Sequence, residues 1–78
     1  MAVTVYSTPT CRYCVAAKRY LEERSIRFRD IDVSRDASAA AEMVRKTGQQ
    51  GVPVIDVNGK AIVGFDKGRL NAALGISG

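Results

Sequence analysis

The chain has only two cysteines, Cys11 and Cys14, and they lie three positions apart just after a short apolar segment. That segment, Val3 to Ser7, is rich in β-branched and aromatic residues and is predicted to be a strand. From Cys11 to about Arg24 apolar residues recur at helical spacing, so the two thiols mark a strand-to-helix junction. A Cys-x-x-Cys at such a junction indicates thiol–disulfide chemistry.

Other uses of a cysteine pair fit this chain less well. A disulfide between residues so close would close a tiny loop and restrain little of the unfolded chain. Structural zinc needs four ligands, and two cysteines with no histidine cannot supply them within one chain, so we expect no metal site. A small secreted domain would usually carry a larger disulfide framework. A lone pair is more typical of a reducing compartment, and we expect a cytoplasmic protein.

Size and charge narrow the possible partners. The 78 residues leave room for one domain, residues 1–78, with a modest core. No apolar run approaches the ~20 residues that span a bilayer, so no membrane partner is expected. The net charge of +4 is mild and the aromatic residues do not interleave with it, so no nucleic-acid partner is expected. Half of the basic residues lie between Arg12 and Arg29, either as a solvated face or as an electropositive rim around the cysteines.

The remaining segments complete the order β-α-β-α-β-β-α. They are a strand over Ile26–Val33, a helix from Ala37 to about Lys46, strands over Val52–Val57 and Lys60–Val63, and a helix from Lys67 to about Leu74. The predicted N-caps are Thr10 for the first helix, Ser34 or Asp36 for the second and Asp66 for the third. Gly48 and Gly75 are predicted to end the second and third helices.

The order of elements predicts an α/β fold with a four-stranded mixed sheet. The helix between the first two strands requires a parallel pair with a right-handed crossover. Asn58-Gly59 is a strong hairpin signal, so the last two strands are antiparallel. Helices then cover both faces, and the charged second strand is expected near a sheet edge. The inward-facing residues of the second helix are predicted to be Ala40, Ala41, Met43 and Val44. Tyr6 and Phe28 are assigned to core or sheet packing.

Three motifs in this order carry a resemblance to a known family. They are Cys11-x-Tyr13-Cys14 at the first junction, Gly51-Val52-Pro53-Val54 at the third strand, and Ile62-Val63-Gly64-Phe65 at the end of the fourth. Together they resemble the glutaredoxin family of the thioredoxin fold. The resemblance implies a monomeric enzyme, a thiol–disulfide oxidoreductase that reduces protein or glutathione mixed disulfides. It also implies no tightly bound cofactor, glutathione as co-substrate, and a cis Val52–Pro53 bond.

Departures from the family pattern leave the electron source open. Arg12 stands where a proline is usual, and Thr8 where a lysine is frequent. The glycine-rich motif that holds the γ-glutamyl end of glutathione is Gly64-Phe65-Asp66-Lys67 here, and its Gly-Phe pair is closer to NrdH-type redoxins. Those redoxins are reduced by a flavoprotein, thioredoxin reductase. The resemblance to them implies the same electron source for this chain and a role as electron donor to ribonucleotide reductase. A glutathione-ligated iron–sulfur cluster bound through the first cysteine is a further alternative.

The two thiols are predicted to have different roles. Cys11 lies at the start of a helix, where unpaired N–H groups and the positive end of the macrodipole favour an anion, and Arg12 adds positive charge. We therefore expect Cys11 to be the nucleophilic thiolate. Cys14 lies one turn deeper on the same helix face and is expected to be the protonated, resolving thiol.

The other candidate site residues form the substrate or glutathione surface. We expect Val52 to offer its backbone N–H and C=O to an extended substrate, with Pro53 close to Cys11. Tyr13 is expected to flank the groove, the other interpretation being a partly buried tyrosine at a helix start. The last helix begins near Gly64 and could receive a carboxylate there. The full set of binding candidates is Arg12, Tyr13, Val52, Pro53, Gly64, Phe65 and Asp66, and for Phe65 core packing remains an equal alternative.

Overall fold

The computed structural model describes residues 1–77 and contains the predicted order of elements. The strands and helices are β1 (Val3–Ser7), α1 (Arg12–Glu23), β2 (Arg29–Asp32), α2 (Ala37–Thr47), β3 (Val54–Val57), β4 (Lys60–Val63) and α3 (Lys67–Leu74). Among these residues no helix is both long and apolar enough to cross a membrane.

The four strands form one mixed sheet in the order β2-β1-β3-β4. Strand β1 pairs in parallel with β2, and antiparallel with β3, which in turn forms the hairpin with β4. The predicted parallel pair, the hairpin and the edge position of β2 are all confirmed. Asn58 and Gly59 make the hairpin turn with φ values of 52° and 92°, the left-handed conformations that Asn-Gly accepts at little cost.

Alternation along the central strands separates two apolar clusters, one on each face of the sheet. Val5 and Ile55 point to the face that α1 and α3 cover, and pack there with Leu21 and Leu70. Tyr6 and Val54 point to the opposite face and pack with Met43 of α2. The predicted packing of Tyr6 is therefore confirmed, and Phe28, half-buried, packs against the first cluster.

The caps of α2 and α3 follow the sequence signals. The Asp36 carboxylate accepts a hydrogen bond from the Ala39 N–H at 2.9 Å, so Asp36 rather than Ser34 is the cap of α2. Asp66 caps α3 in the same way through the Arg69 N–H at 3.1 Å. Both helices end at a glycine in the left-handed conformation, as predicted, at Gly48 and Gly75.

Two predicted strand boundaries and one inward-facing residue are wrong. Strand β2 begins at Arg29 instead of Ile26 because the Ile26 N–H closes the end of α1, donating to the Leu21 carbonyl at 3.0 Å. Strand β3 begins at Val54 instead of Val52, since Pro53 has no N–H to give to a strand ladder. In α2, Ala41 is exposed, while Ala39 packs on the Tyr6 cluster in its place.

A polar network lies on the α2 face of the sheet. Asp56 is only 6% exposed, and its carboxylate accepts hydrogen bonds from Lys46 Nζ at 2.9 Å and from the Gly59 N–H at 2.8 Å. The Tyr6 hydroxyl lies 3.1 Å from Lys46 Nζ and donates to Glu42. The hydrogen bond that Lys46 donates to Asp56 raises the pKa of Lys46 well above its ordinary value. The network therefore neutralises the buried carboxylate and links α2 to the hairpin turn.

Candidate active site

The Cys11 sulfur caps α1. Cys11 has an extended backbone (φ −85°, ψ 114°), its N–H donates to the Thr8 carbonyl at 3.3 Å, and its Sγ accepts from the Cys14 N–H at 3.1 Å. The predicted cap, Thr10, is therefore wrong, and the helix begins one residue later than expected, at Arg12. The sulfur takes the place of the usual capping oxygen. The Cys14 N–H, which has no carbonyl partner within the helix, therefore donates to the sulfur of the candidate nucleophile.

Cys14 lies behind Cys11 and is closed to solvent. Its side chain is 0% exposed, whereas Cys11 is half-buried, and both are free thiols. Burial, with help from the hydrogen bond to Cys11, raises the pKa of the Cys14 thiol to about 11. The pair therefore presents one accessible sulfur and one protonated sulfur held one turn deeper.

The pH dependence of Cys14 follows from this burial. The folded state holds the neutral thiol more strongly than the unfolded chain does. The contribution of the neutral Cys14 thiol to the free energy of unfolding is therefore fully present at pH values below the ordinary thiol pKa of about 8.5. It is lost as the pH rises through about 11. In a Cys11→Ser variant we expect alkylation of Cys14 to stay slow at neutral pH and to accelerate only in the alkaline range, as followed by mass spectrometry. An alkylation midpoint near 8.5, the ordinary thiol value, would contradict a buried Cys14.

The segment before β3 lies against the Cys11 sulfur. The Cys11 Sγ lies 3.9 Å from the Val52 carbonyl oxygen, and the Val52–Pro53 peptide bond is cis, as the resemblance implied. Pro53 is fully buried and Val52 half-buried. Within residues 1–77 the Val52 N–H has no hydrogen-bond partner. Val52 therefore keeps a backbone donor available beside the sulfur.

Gly64 is hydrogen-bonded to this segment, whereas the next two residues, Phe65 and Asp66, make contacts within the fold. The Gly64 N–H donates to the Pro53 carbonyl at 2.8 Å, and its φ of 81° suits a glycine. The half-buried ring of Phe65 packs edge-to-face on Tyr20 with centroids 5.6 Å apart, which favours the core-packing interpretation. The Asp66 carboxylate is engaged as the cap of α3.

Arg12 and Tyr13 lie between the two cysteines and are exposed. Tyr13 is 67% exposed, which excludes a partly buried role and leaves its ring free to line a substrate groove. The basic residues that follow do not form one rim around the thiols. Lys18 pairs with Asp30 at 2.9 Å, and the Arg24 guanidinium lies 3.6 Å over the Tyr20 ring.

Two groups near the thiols were not among the predicted site residues. The Thr8 carbonyl holds the Cys11 backbone, and no side-chain pattern signals a backbone contact of this kind. Lys18 is not among the predicted site residues, yet its ammonium forms an ion pair with Asp30 one helical turn after Cys14. Its position four residues after Cys14, on the same helix face, was the available signal.

Known proteins share both the sequence and the fold. The glutaredoxin family profile matches residues 3–62. A glutaredoxin-like 8.6 kDa protein encoded in the rubredoxin operon of Clostridium pasteurianum is 42% identical over 69 residues, which cover 88% of this chain and 92% of that protein.

Two solved structures extend the comparison. Methanoredoxin from Methanosarcina acetivorans superposes with a TM-score of 0.89 at 26% identity, covering 96% of this chain and 85% of its own. The glutaredoxin-like NrdH-redoxin from Escherichia coli gives a TM-score of 0.81 at 33% identity, covering 92% of this chain and 93% of its own. With its Cys-x-x-Cys site at the start of α1, the chain is a redox protein that belongs to the glutaredoxin family.

Proposed function

We propose that the chain is a dithiol thiol–disulfide oxidoreductase that reduces protein or glutathione mixed disulfides, with Cys11 as nucleophile and Cys14 as resolving thiol. The observation that carries the proposal is the contrast between the two sulfurs. Cys11 is half-exposed and accepts an N–H at the positive end of α1, while Cys14 is buried and held protonated. We propose further that it acts in the cytoplasm, where such pairs stay reduced.

The first step forms a mixed disulfide. The Cys11 thiolate attacks one sulfur of a substrate disulfide, a new S–S bond forms, and the old S–S bond breaks. The departing sulfur leaves as a thiolate and takes a proton from solvent. The Cys14 N–H, at 3.1 Å, and the helix dipole favour the thiolate form that this step needs.

The second step releases the product. Cys14 gives its proton to solvent and attacks the Cys11 sulfur, forming the Cys11–Cys14 disulfide as the remaining substrate sulfur leaves and is protonated. Two electrons have then passed from the dithiol to the substrate disulfide, and an external reductant must restore the pair.

Val52 supplies the docking edge for the substrate backbone. Its unpartnered N–H and its carbonyl, beside the Cys11 sulfur, can pair with an extended segment that carries the target disulfide. Gly64 keeps the neighbouring turn free of a side chain, and Tyr13, between the two cysteines, offers an exposed aromatic surface.

A second candidate concerns the electron source. Phe65 stands where glutaredoxins that bind glutathione have a glycine, and its ring is packed on Tyr20. The NrdH-redoxin of Escherichia coli, a glutaredoxin-like protein with a thioredoxin-like activity profile, shares 33% identity with the chain. These observations favour a redoxin reduced by thioredoxin reductase and acting as electron donor to ribonucleotide reductase.

One coupled assay tests the function and separates the two electron sources. NADPH oxidation with a small disulfide substrate is followed in two arms, one with glutathione and glutathione reductase, the other with thioredoxin reductase alone. Turnover in either arm supports the oxidoreductase and identifies its reductant. If the protein supports no turnover in either arm, the proposed function is contradicted.

A further inference from the structure

A charged pair lies one helical turn along α1 from the proposed resolving thiol. Lys18 is one helical turn after Cys14 on the same face of α1, and its Nζ lies 2.9 Å from Asp30 Oδ2. The other Asp30 oxygen accepts a hydrogen bond from the Ser7 hydroxyl at 2.8 Å. Ser7 is only 3% exposed, so this chain of contacts runs from the solvent edge to the buried end of β1.

The sheet register explains why these groups meet on the Cys14 side. Asp30 is paired with Val5 in the parallel β1–β2 ladder, so its side chain shares the face that α1 covers. Because Lys18 follows Cys14 by four residues on α1, its stem lies on the same helix face as the thiol while its ammonium reaches Asp30 of β2. Lys18 therefore links the helix that carries Cys14 to the Asp30 carboxylate of β2.

The remaining charges near the sheet are directed elsewhere. The carboxylate of β3, Asp56, lies on the α2 face and is neutralised by Lys46. The apolar residues of β3 and α3 that share the Cys14 face include Ile55 and Leu70. Within residues 1–77, the charged groups placed to act on Cys14 are thus Lys18 and, through its ion pair, Asp30, with Asp32 the next carboxylate along the same face of β2.

We propose that Lys18 and Asp30 are positioning residues with opposite effects on the second step of the proposed reaction: Lys18 promotes ionisation of Cys14, and Asp30 restrains it. The inference rests on the proposed function, because only that reaction requires Cys14 to become a thiolate. The cation favours the negative sulfur that develops as the proton leaves for solvent. The carboxylate neutralises part of that cation and holds its position.

The size of the effect follows from distance and screening. The Lys18 side chain is 24% exposed and that of Asp30 is 46% exposed, so their charges are partly screened by water. One unit charge a helical turn away then displaces a thiol titration by about half a pH unit. A thiolate with a higher pKa is also more nucleophilic, so the rate of the resolving step at neutral pH changes by only about twofold.

The alternative is a purely structural ion pair, and the signs of two variants separate it from the proposal. If the pair only ties α1 to β2, removing either partner loosens the same contact and moves Cys14 reactivity in the same direction. If the charges act on the sulfur, losing the cation and losing the carboxylate move it in opposite directions. Exposed pairs of this kind contribute little to stability, so both variants are expected to fold.

The test measures the pH profile of Cys14 alkylation by iodoacetamide in a Cys11→Ser background, where no other thiol reacts. We expect Lys18→Met to raise the midpoint by about half a unit and Asp30→Asn to lower it by a similar amount. The double variant is expected to lie between them, and Lys18→Arg to restore the original profile. Arg19→Met, at the next and exposed position, is the matched control and should leave the midpoint unchanged.

Shifts in the same direction, or no shift in either variant, would overturn the inference. Circular dichroism of each variant confirms that the helix content is kept. Because the readout is alkylation of a single thiol, it is independent of turnover. The inference can therefore fail while the wild-type chain still reduces disulfides, and loss of turnover in the coupled assay would count against the proposed function alone.

Discussion

Replacing Cys11 with serine is expected to abolish disulfide reduction. The hydroxyl can still accept the Cys14 N–H that now reaches Cys11 Sγ at 3.1 Å, so the start of α1 is kept. A serine hydroxyl is not ionised at neutral pH, and within residues 1–77 the side chain at position 11 contacts only the Cys14 N–H and the Val52 carbonyl, neither of which is a general base. The rate should therefore fall by at least about a thousandfold. The measurement is NADPH oxidation in the coupled assay with whichever reductase supports the wild type.

The matched control for this variant is Thr10→Ser. Thr10 is exposed, directly precedes Cys11, and is not the helix cap, so its substitution should leave turnover unchanged. Residual activity of the Cys11→Ser protein above about a tenth of the wild type would mean that another group performs the attack.

Replacing Cys14 with serine is expected to stop the reaction halfway. Cys11 can still attack, but no second thiol is present to release the product, so a mixed disulfide between Cys11 and the substrate should accumulate. Turnover of a protein disulfide should fall by at least about a hundredfold. Intact-mass spectrometry after one addition of substrate should show a single adduct, which a reducing agent removes.

The Cys11→Ser protein is the control for the trapping experiment and should form no adduct. An adduct on the Cys11→Ser protein, or none on the Cys14→Ser protein, would contradict the assigned roles. The serine at position 14 would place a hydroxyl where the side chain is 0% exposed, so a modest loss of stability is expected. A thermal melt of the variant separates that loss from the chemical defect.

The element order was predictable because each signal is local. The helical spacing of α1, the Asn58-Gly59 turn and the glycines after α2 and α3 all act over a few residues, and the structure keeps them. The boundary errors come from competition between neighbours. Ile26 fits a strand pattern, but its N–H satisfies the Leu21 carbonyl at the end of α1, and that hydrogen bond excludes it from the sheet.

The two cysteines of the site could be predicted from the sequence, but most of the residues around them could not. The spacing of Cys11 and Cys14 at a strand-to-helix junction indicated the chemistry, whereas Val52 and Gly64 were reached only through the resemblance to a family. The Lys18–Asp30 pair depends on the register that places Asp30 beside Val5, and a single sequence does not fix that register. The same holds for Lys46 and Asp56, which meet only after α2 packs on the sheet.

The two thiols are expected to differ in reactivity, and every step of the proposed reaction depends on that difference. Labelling the reduced wild-type chain at neutral pH with less than one equivalent of iodoacetamide, followed by peptide mass spectrometry, measures that difference directly. We expect nearly all of the label on Cys11 and almost none on Cys14, which is 0% exposed. Equal labelling of the two cysteines, or a preference for Cys14, would contradict the account.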